Sequence, residues 1–227
     1  MDKVVPNATA AVEDIPDGAV IGVSGFGASH NFPIDLIAAC AARDISDLTL
    51  VCNSLGVTEA HPAQLVRAGR VSRLQAAFSA RAAVPNSSAQ DQSPVPIDVE
   101  LIPQGILVER LRSAGAGLGP FFSPVGVDTD IASGKERRVF GDREYVLEHP
   151  LHVDFAFVYA SAADRSGNVA FRGTSENLGP SMAKAARTVI VQVDEILEVG
   201  ELANDEIDLP GVFVDRIVLA SETRSPN

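Results

Sequence analysis

Cations, cysteines and long apolar runs are all scarce in this chain, and each scarcity closes off a class of protein. Eighteen Lys and Arg face thirty Asp and Glu, a formal net charge of -12. Such a surface repels phosphate backbones, and no aromatic-studded basic stripe offsets it, so the composition argues against a nucleic-acid partner. Only two cysteines occur, Cys40 and Cys52, each inside an apolar stretch, and no short Cys/His spacing marks a metal site. Both read as buried free thiols of a reducing compartment. No apolar run approaches the ~20 residues that span a bilayer. The start, Met1-Asp2-Lys3-Val4-Val5-Pro6, lacks the basic and apolar regions of a signal peptide. The expectation is a soluble, cytoplasmic protein with no membrane partner.

What is present is an ordinary globular balance: 227 residues, 46% hydrophobic and 21% charged, with 18 Gly and 14 Pro. That length favours one large domain over two small ones. Short, nearly continuous apolar runs at 20–23, 48–52 and 187–193 suit strands buried on both faces, and 154–160 and 212–220 read similarly. Helical spacing recurs at 33–42, where Ile34, Ile37, Ala38 and Ala41 share a stripe, and at 104–114, where Leu107, Val108 and Leu111 do; 181–187 reads as a third helix. This cadence predicts an α/β domain over residues 1–220 with an open mixed, largely parallel sheet. Residues 81–96 read as an inserted flexible loop, 135–142 as a hairpin turning at Gly141-Asp142, and 221–227 as a frayed tail.

The strongest local feature runs from Asp17-Gly18 through Val20-Ile21-Gly22-Val23 into Ser24-Gly25-Phe26-Gly27-Ala28-Ser29-His30, then Asn31-Phe32-Pro33. A strand ends in a glycine-rich loop and a helix follows at once. Gly25 and Gly27 permit a tight path with exposed amides, and the helix adds the positive end of its dipole. Such a loop can hold a phosphate, a carboxylate or a developing oxyanion. It lacks the Gly-Lys-Ser/Thr of a Walker loop and the third glycine of a dinucleotide fingerprint. On physics alone, a sharp turn and an anion site explain it equally well.

These residues resemble the signature carried by the A-type subunits of family I coenzyme A transferases: Asp-Gly, aliphatics, Gly-Gly-Phe, three residues, Gly, any residue, Pro. The similarity continues through Leu48-Thr49-Leu50-Val51-Cys52-Asn53-Ser54 and through Pro103-Gln104-Gly105-Ile106-Leu107-Val108-Glu109-Arg110-Leu111-Arg112 with Gly115-Ala116-Gly117. It extends to Phe121-Phe122-Ser123-Pro124-Val125-Gly126-Val127, Asp164-Arg165-Ser166-Gly167-Asn168 and Pro210-Gly211-Val212-Phe213-Val214, covering nearly the whole chain. The resemblance implies helices on both faces of the sheet and a site shared by two chains. In such enzymes a glutamate attacks an acyl-CoA to give an acyl-glutamyl anhydride, then an enzyme-CoA thioester, and the acceptor acid takes the CoA in the reverse sequence. That glutamate belongs to the B-type partner, so this chain carries no catalytic residue on this reading. Glu109 reads as a surface ion pair, and Glu59 and Glu176 have no activating neighbour in the sequence.

The resemblance makes Ser24, Gly25, Phe26, Gly27, Ala28, Ser29 and His30, with Asn53 at a strand's carboxyl end, the residues that contact CoA or the acyl group. Coenzyme A is then a substrate, with no cofactor or metal, and the partner is the B-type CoA-transferase subunit, in a heterodimer or heterotetramer. Asn53 has a structural alternative, bonding the turn at 54–56, and packing or capping accounts for Gln104, Gly105, Gly115 and Gly117. The chain departs from the pattern at Ser24, at His30 or Asn31, and at Ile106, Ala114, Val125 and Asp128. One extra residue precedes Pro33. These departures imply an acyl pocket reshaped from the one that suits succinate and acetoacetate. His30 either selects a polar acyl group or is a solvated loop histidine. Lys135, Arg137 and Arg138 read as a solvated hairpin rather than a CoA-phosphate site. Two other functions stay open: thioester or carbon–carbon hydrolysis on the same fold, and a non-catalytic ligand sensor.

Overall fold

The computed structural model describes residues 1–26, 31–57, 60–78 and 93–221. Its main sheet pairs seven strands in parallel: β1 (Val20–Val23), β2 (Leu48–Ser54), β3 (Val71–Phe78), β4 (Asp98–Leu101), β8 (Val153–Asp164), β10 (Ala186–Leu197) and β11 (Arg216–Leu219). Their order is β11-β10-β8-β1-β2-β3-β4, and β9 (Val169–Ala170) joins β8 antiparallel, so the sheet is mixed but largely parallel. The chain runs outward from β1 through β2 to β4, then returns to build β8 to β11 on the other side. The boundary between β1 and β8 is therefore the topological switch point, where open α/β sheets splay their loops apart.

Two-sided burial explains the continuous apolar runs. Ile21, Val23, Leu50, Cys52, Phe157 and Ile190 face α1 (Ala8–Ala11), α2 (Ile34–Ala42) and α3 (Ala63–Arg67). Val51, Ala156, Val158, Val189 and Val191 face α4 (Gln104–Gly115) and α5 (Gly179–Lys184) on the opposite side. Period-2 alternation thus feeds two cores rather than one core and solvent. Glycines let α5 settle deeply: a Cβ on Gly22 would lie 2.8 Å from Met182 Cγ, and one on Gly115 would lie 2.6 Å from the Cβ of Lys184.

A second, antiparallel sheet holds β5 (Phe121–Ser123), β7 (Arg143–Glu148) and β6 (Arg137–Phe140) in the order β5-β7-β6, with the expected turn at Gly141-Asp142. It is tied to the main sheet through Arg110 of α4. Nε and Nη2 of this buried guanidinium donate to Glu148 Oε2 (2.8 and 2.6 Å), and its Nη1 donates to Glu100 Oε1 of β4 (2.8 Å). Lys135 Nζ donates to the other oxygen of Glu148 at 2.6 Å.

Several expectations move. The last strand is only Arg216–Leu219, because Gly211–Phe213 is a 3-10 turn whose glycine packs on the turn after β8; a Cβ there would lie 2.7 Å from the Ser166 carbonyl. The third helix is Gly179–Lys184, ending before Ala186 enters β10. β3 and β4 carry no continuous apolar run: Arg73 and Gln75 interrupt one, Asp98 and Glu100 the other. Of the inserted loop, residues 81–92 lie outside the described residues, as do 222–227 of the tail. Ser221, by contrast, donates its N–H and hydroxyl to the Asp35 carboxylate (2.7 and 2.9 Å).

Candidate active site

Strand β1 delivers the glycine-rich loop to the switch point. Ser24 is fully buried; its N–H donates to the Phe157 carbonyl (2.9 Å) and its Oγ accepts the Tyr159 N–H (3.1 Å), which extends the β1–β8 seam by one residue. At Gly25 the chain turns with φ +130°, and a Cβ there would stand 2.1 Å from the Phe32 ring. No other residue type fits both the torsion and the space. The Gly25 N–H donates to Asn177 Oδ1 (3.0 Å), and Phe26 then emerges 43% exposed. Gly27, Ala28, Ser29 and His30, named from the sequence, lie outside the described residues.

The neighbouring helix does not offer the open positive end that its sequence suggests. The N–H groups of Asp35 and Leu36 both donate to Gln192 Oε1, at 3.0 and 3.3 Å, and Gln192 Nε2 donates back to Asp35 Oδ2 at 3.2 Å. A buried glutamine on β10 thus caps α2 from across the core, with an acidic residue already in the first turn. The amides of Asp35 and Leu36 are thereby taken up within the protein.

Because Val23 pairs with Cys52, Asn53 stands level with Ser24, one residue before β2 ends at Ser54. Asn53 is 3% exposed, and its Oδ1 accepts Gln104 Nε2 at 2.9 Å. The turn at 54–56 is bonded by Ser54, whose Oγ accepts the Gly56 N–H (3.3 Å), so Asn53 is not needed for that task. Gln104 likewise does not cap its own helix; α4 begins after Pro103 with no side-chain cap. An amide pair therefore sits where β2 and α4 converge at the carboxyl edge.

His61 completes this layer and has no signal in the sequence. It is 4% exposed and stacks on Phe32 with ring centroids 4.3 Å apart, while its Nδ1 accepts the Val57 N–H at 3.0 Å. Gly56, at φ +76°, makes room for it; a Cβ there would be 2.3 Å from Nδ1. On the β8–β10 side, the Tyr159 hydroxyl donates to Asp194.

Glu109 is a surface pair, as its sequence indicates: Arg112 Nη2 donates to it at 2.8 Å. Glu176 is exposed, and Glu59 lies outside the described residues. Arg137 donates to Glu144 and Arg138 to Glu136, so both stay on a solvated hairpin. Lys135 does not, because its partner Glu148 is fully buried. Both thiols are free and buried, and burial pushes each up to about 12, which keeps them protonated and unreactive. Among the described residues no helix is long and apolar enough to cross a membrane.

These features define a class: an α/β protein with a largely parallel sheet and a switch point between β1 and β8, the place where such folds bind ligands. Residues 5–220 match the family model described as Coenzyme A transferase, and the chain belongs to that family. It is 42% identical over 223 residues to the A-type subunit of the 3-oxoadipate CoA-transferase of Pseudomonas putida, covering 97% of this chain and 95% of that protein. It is 36% identical over 221 residues to the A-type subunit of the probable succinyl-CoA:3-ketoacid coenzyme A transferase of Bacillus subtilis, covering 97% and 91%. Among solved structures, the acyl-CoA transferase of E. coli O157:H7, as a thioester complex with CoA, superposes with a TM-score of 0.81 at 21% identity. That match covers 96% of this chain and 47% of the other, and it shows a common fold. The chain is a CoA-transferase subunit of the A type.

Proposed function

We propose that this chain, paired with a B-type partner, moves CoA between an acyl-CoA and a short 3-oxo acid. The glutamate that takes up the acyl group and then the CoA would stand on the partner. The observation that carries this reading is end-to-end similarity to the A-type subunit of a 3-oxoadipate CoA-transferase, at 42% identity with 95% of its length covered. The site supports it. The carboxyl edge of this chain offers an amide pair, Asn53 and Gln104, and a glycine turn with an exposed aromatic, Gly25 and Phe26. Those groups suit binding and orienting a carbonyl or carboxylate rather than attacking one. CoA is a substrate on this reading. Two free, buried thiols suit the reducing cytoplasm.

The test is CoA exchange from succinyl-CoA to 3-oxoadipate or acetoacetate, measured for this chain alone, for its partner alone and for the two together. Activity confined to the mixture is expected. Full activity of the isolated chain refutes the divided site. Net release of free CoA without an acceptor acid refutes transfer in favour of hydrolysis.

A further inference from the structure

The segment between β9 and α5 holds the glycine turn from outside. Asn177 is one of two non-glycine residues among those described with a positive φ, at 31°. Its Oδ1 accepts the Gly25 N–H at 3.0 Å and the Leu178 N–H at 2.6 Å, while its Nδ2 donates to the Ser175 carbonyl at 2.7 Å. The amide cannot flip without losing all three bonds. Nearby, Asn31 Nδ2 donates to Thr174 Oγ1 at 3.0 Å. One turn therefore grips the chain both at Gly25 and at Asn31, on either side of residues 27–30 in the sequence.

The grip matters because of where it acts. Ser24 is pinned in the β1–β8 seam, and the next residue is a glycine, the type with the widest torsional freedom. The peptide plane entering Gly25 sets the direction in which Phe26 leaves the sheet. Among the described residues, that plane is held by the hydrogen bond from Gly25 to Asn177 and by the Phe32 ring beneath. A non-glycine residue held at positive φ, with its side chain fully committed, is the kind of local strain that persists where geometry is needed.

We infer that Asn177 is a positioning residue for the acyl-CoA-binding wall formed by Gly25 and Phe26. The inference rests on the reading of the carboxyl edge as the acyl-CoA site. It assigns a specificity role to a residue far from the glycine-rich motif in sequence, and it makes the 174–178 turn part of the binding apparatus.

The experiment uses the complex assembled with the B-type partner, with succinyl-CoA as the probe, comparing Asn177→Gly, Asn177→Asp and Phe26→Ala. Glycine accepts the positive φ without strain but removes the anchor; aspartate keeps an acceptor oxygen for the Gly25 N–H. Asn177→Gly should raise KM for succinyl-CoA roughly tenfold with kcat changed less than about twofold in the assembled complex. Asn177→Asp should recover most of the loss, and Phe26→Ala should raise KM as well. An unchanged KM in Asn177→Gly beside a raised KM in Phe26→Ala overturns the positioning role alone. Equal KM increases in the glycine and aspartate variants overturn it too, since the acceptor would then not be the anchor. An unchanged KM in Phe26→Ala overturns the site reading beneath it. Should Asn177→Gly not assemble, the exposed change Thr174→Val decides: a roughly threefold rise in KM is expected, and no rise overturns the grip.

Discussion

Replacing Arg110 with methionine should be among the most damaging single changes outside the two apolar cores. The guanidinium is 8% exposed and makes three charge-assisted bonds of 2.6–2.8 Å to two carboxylates on different sheets. Glu148 has no exposed side-chain surface, so after the change it stays buried with Lys135 as its one cation among the described residues. Stranding a carboxylate in this way costs about 3–5 kcal/mol. In a chain of this size that corresponds to a fall in Tm of roughly 6–20 °C. Urea unfolding of Arg110→Met, Glu148→Met and the double variant, each with the partner subunit present and absent, measures it. The double variant should recover much of the loss, because it buries no unpaired charge and Lys135, 21% exposed, can turn to solvent. A cost below about 1 kcal/mol for Arg110→Met, or strict additivity in the double variant, refutes the clamp.

Acid should loosen the same joint. Burial alone would raise the Glu100 carboxyl, but hydrogen bonds from Arg110 and Gln75 outweigh it and hold the group down at about 2, against an ordinary value of 4.5. Its stabilisation is therefore complete above about pH 4.5 and fades as pH falls toward 2. The total is at most about 3 kcal/mol before solvent screening. Glu100→Gln should flatten the pH dependence of the urea midpoint between those values, and an unflattened profile counts against the assignment. Gly25→Ala should cost at least about 2 kcal/mol, since its Cβ would overlap the Phe32 ring and the residue sits at φ +130°; a variant of unchanged Tm contradicts the turn geometry. Both cysteines, held protonated by burial, should resist a thiol reagent in the native protein and react on unfolding. Fast native labelling of either one contradicts their burial.

The apolar pattern makes the sheet readable because two-sided burial leaves its mark residue by residue: Val20 to Val23 and Leu48 to Cys52 could hardly be anything but interior strands. Where burial is one-sided or polar the mark fades. β3 and β4 sit toward the sheet's edge with Arg73, Gln75, Asp98 and Glu100 along them, residues whose partners come from each other and from α4. Arg110 reads as part of a helix's polar surround because the neighbouring Glu109 and Arg112 do lie there. The placement of β7 and β4 against α4 turns Arg110 inward.

The site divides along the same line. The glycine turn and Asn53 are visible because their chemistry is written locally, in glycines just past one apolar strand and an asparagine near the end of the next. Asn177, Gln104 and Gln192 are not, since each acts on a residue more than fifty positions away and its role depends on which strand lies opposite. Gln192 did leave a trace, a single amide between Val191 and Val193 in an otherwise apolar buried run. Burying an amide without partners costs several kcal/mol, so such a residue must be bonded to something. In this fold it is bonded to the first turn of α2. The glutamine that makes that helix start possible also occupies the amides an anion would otherwise use.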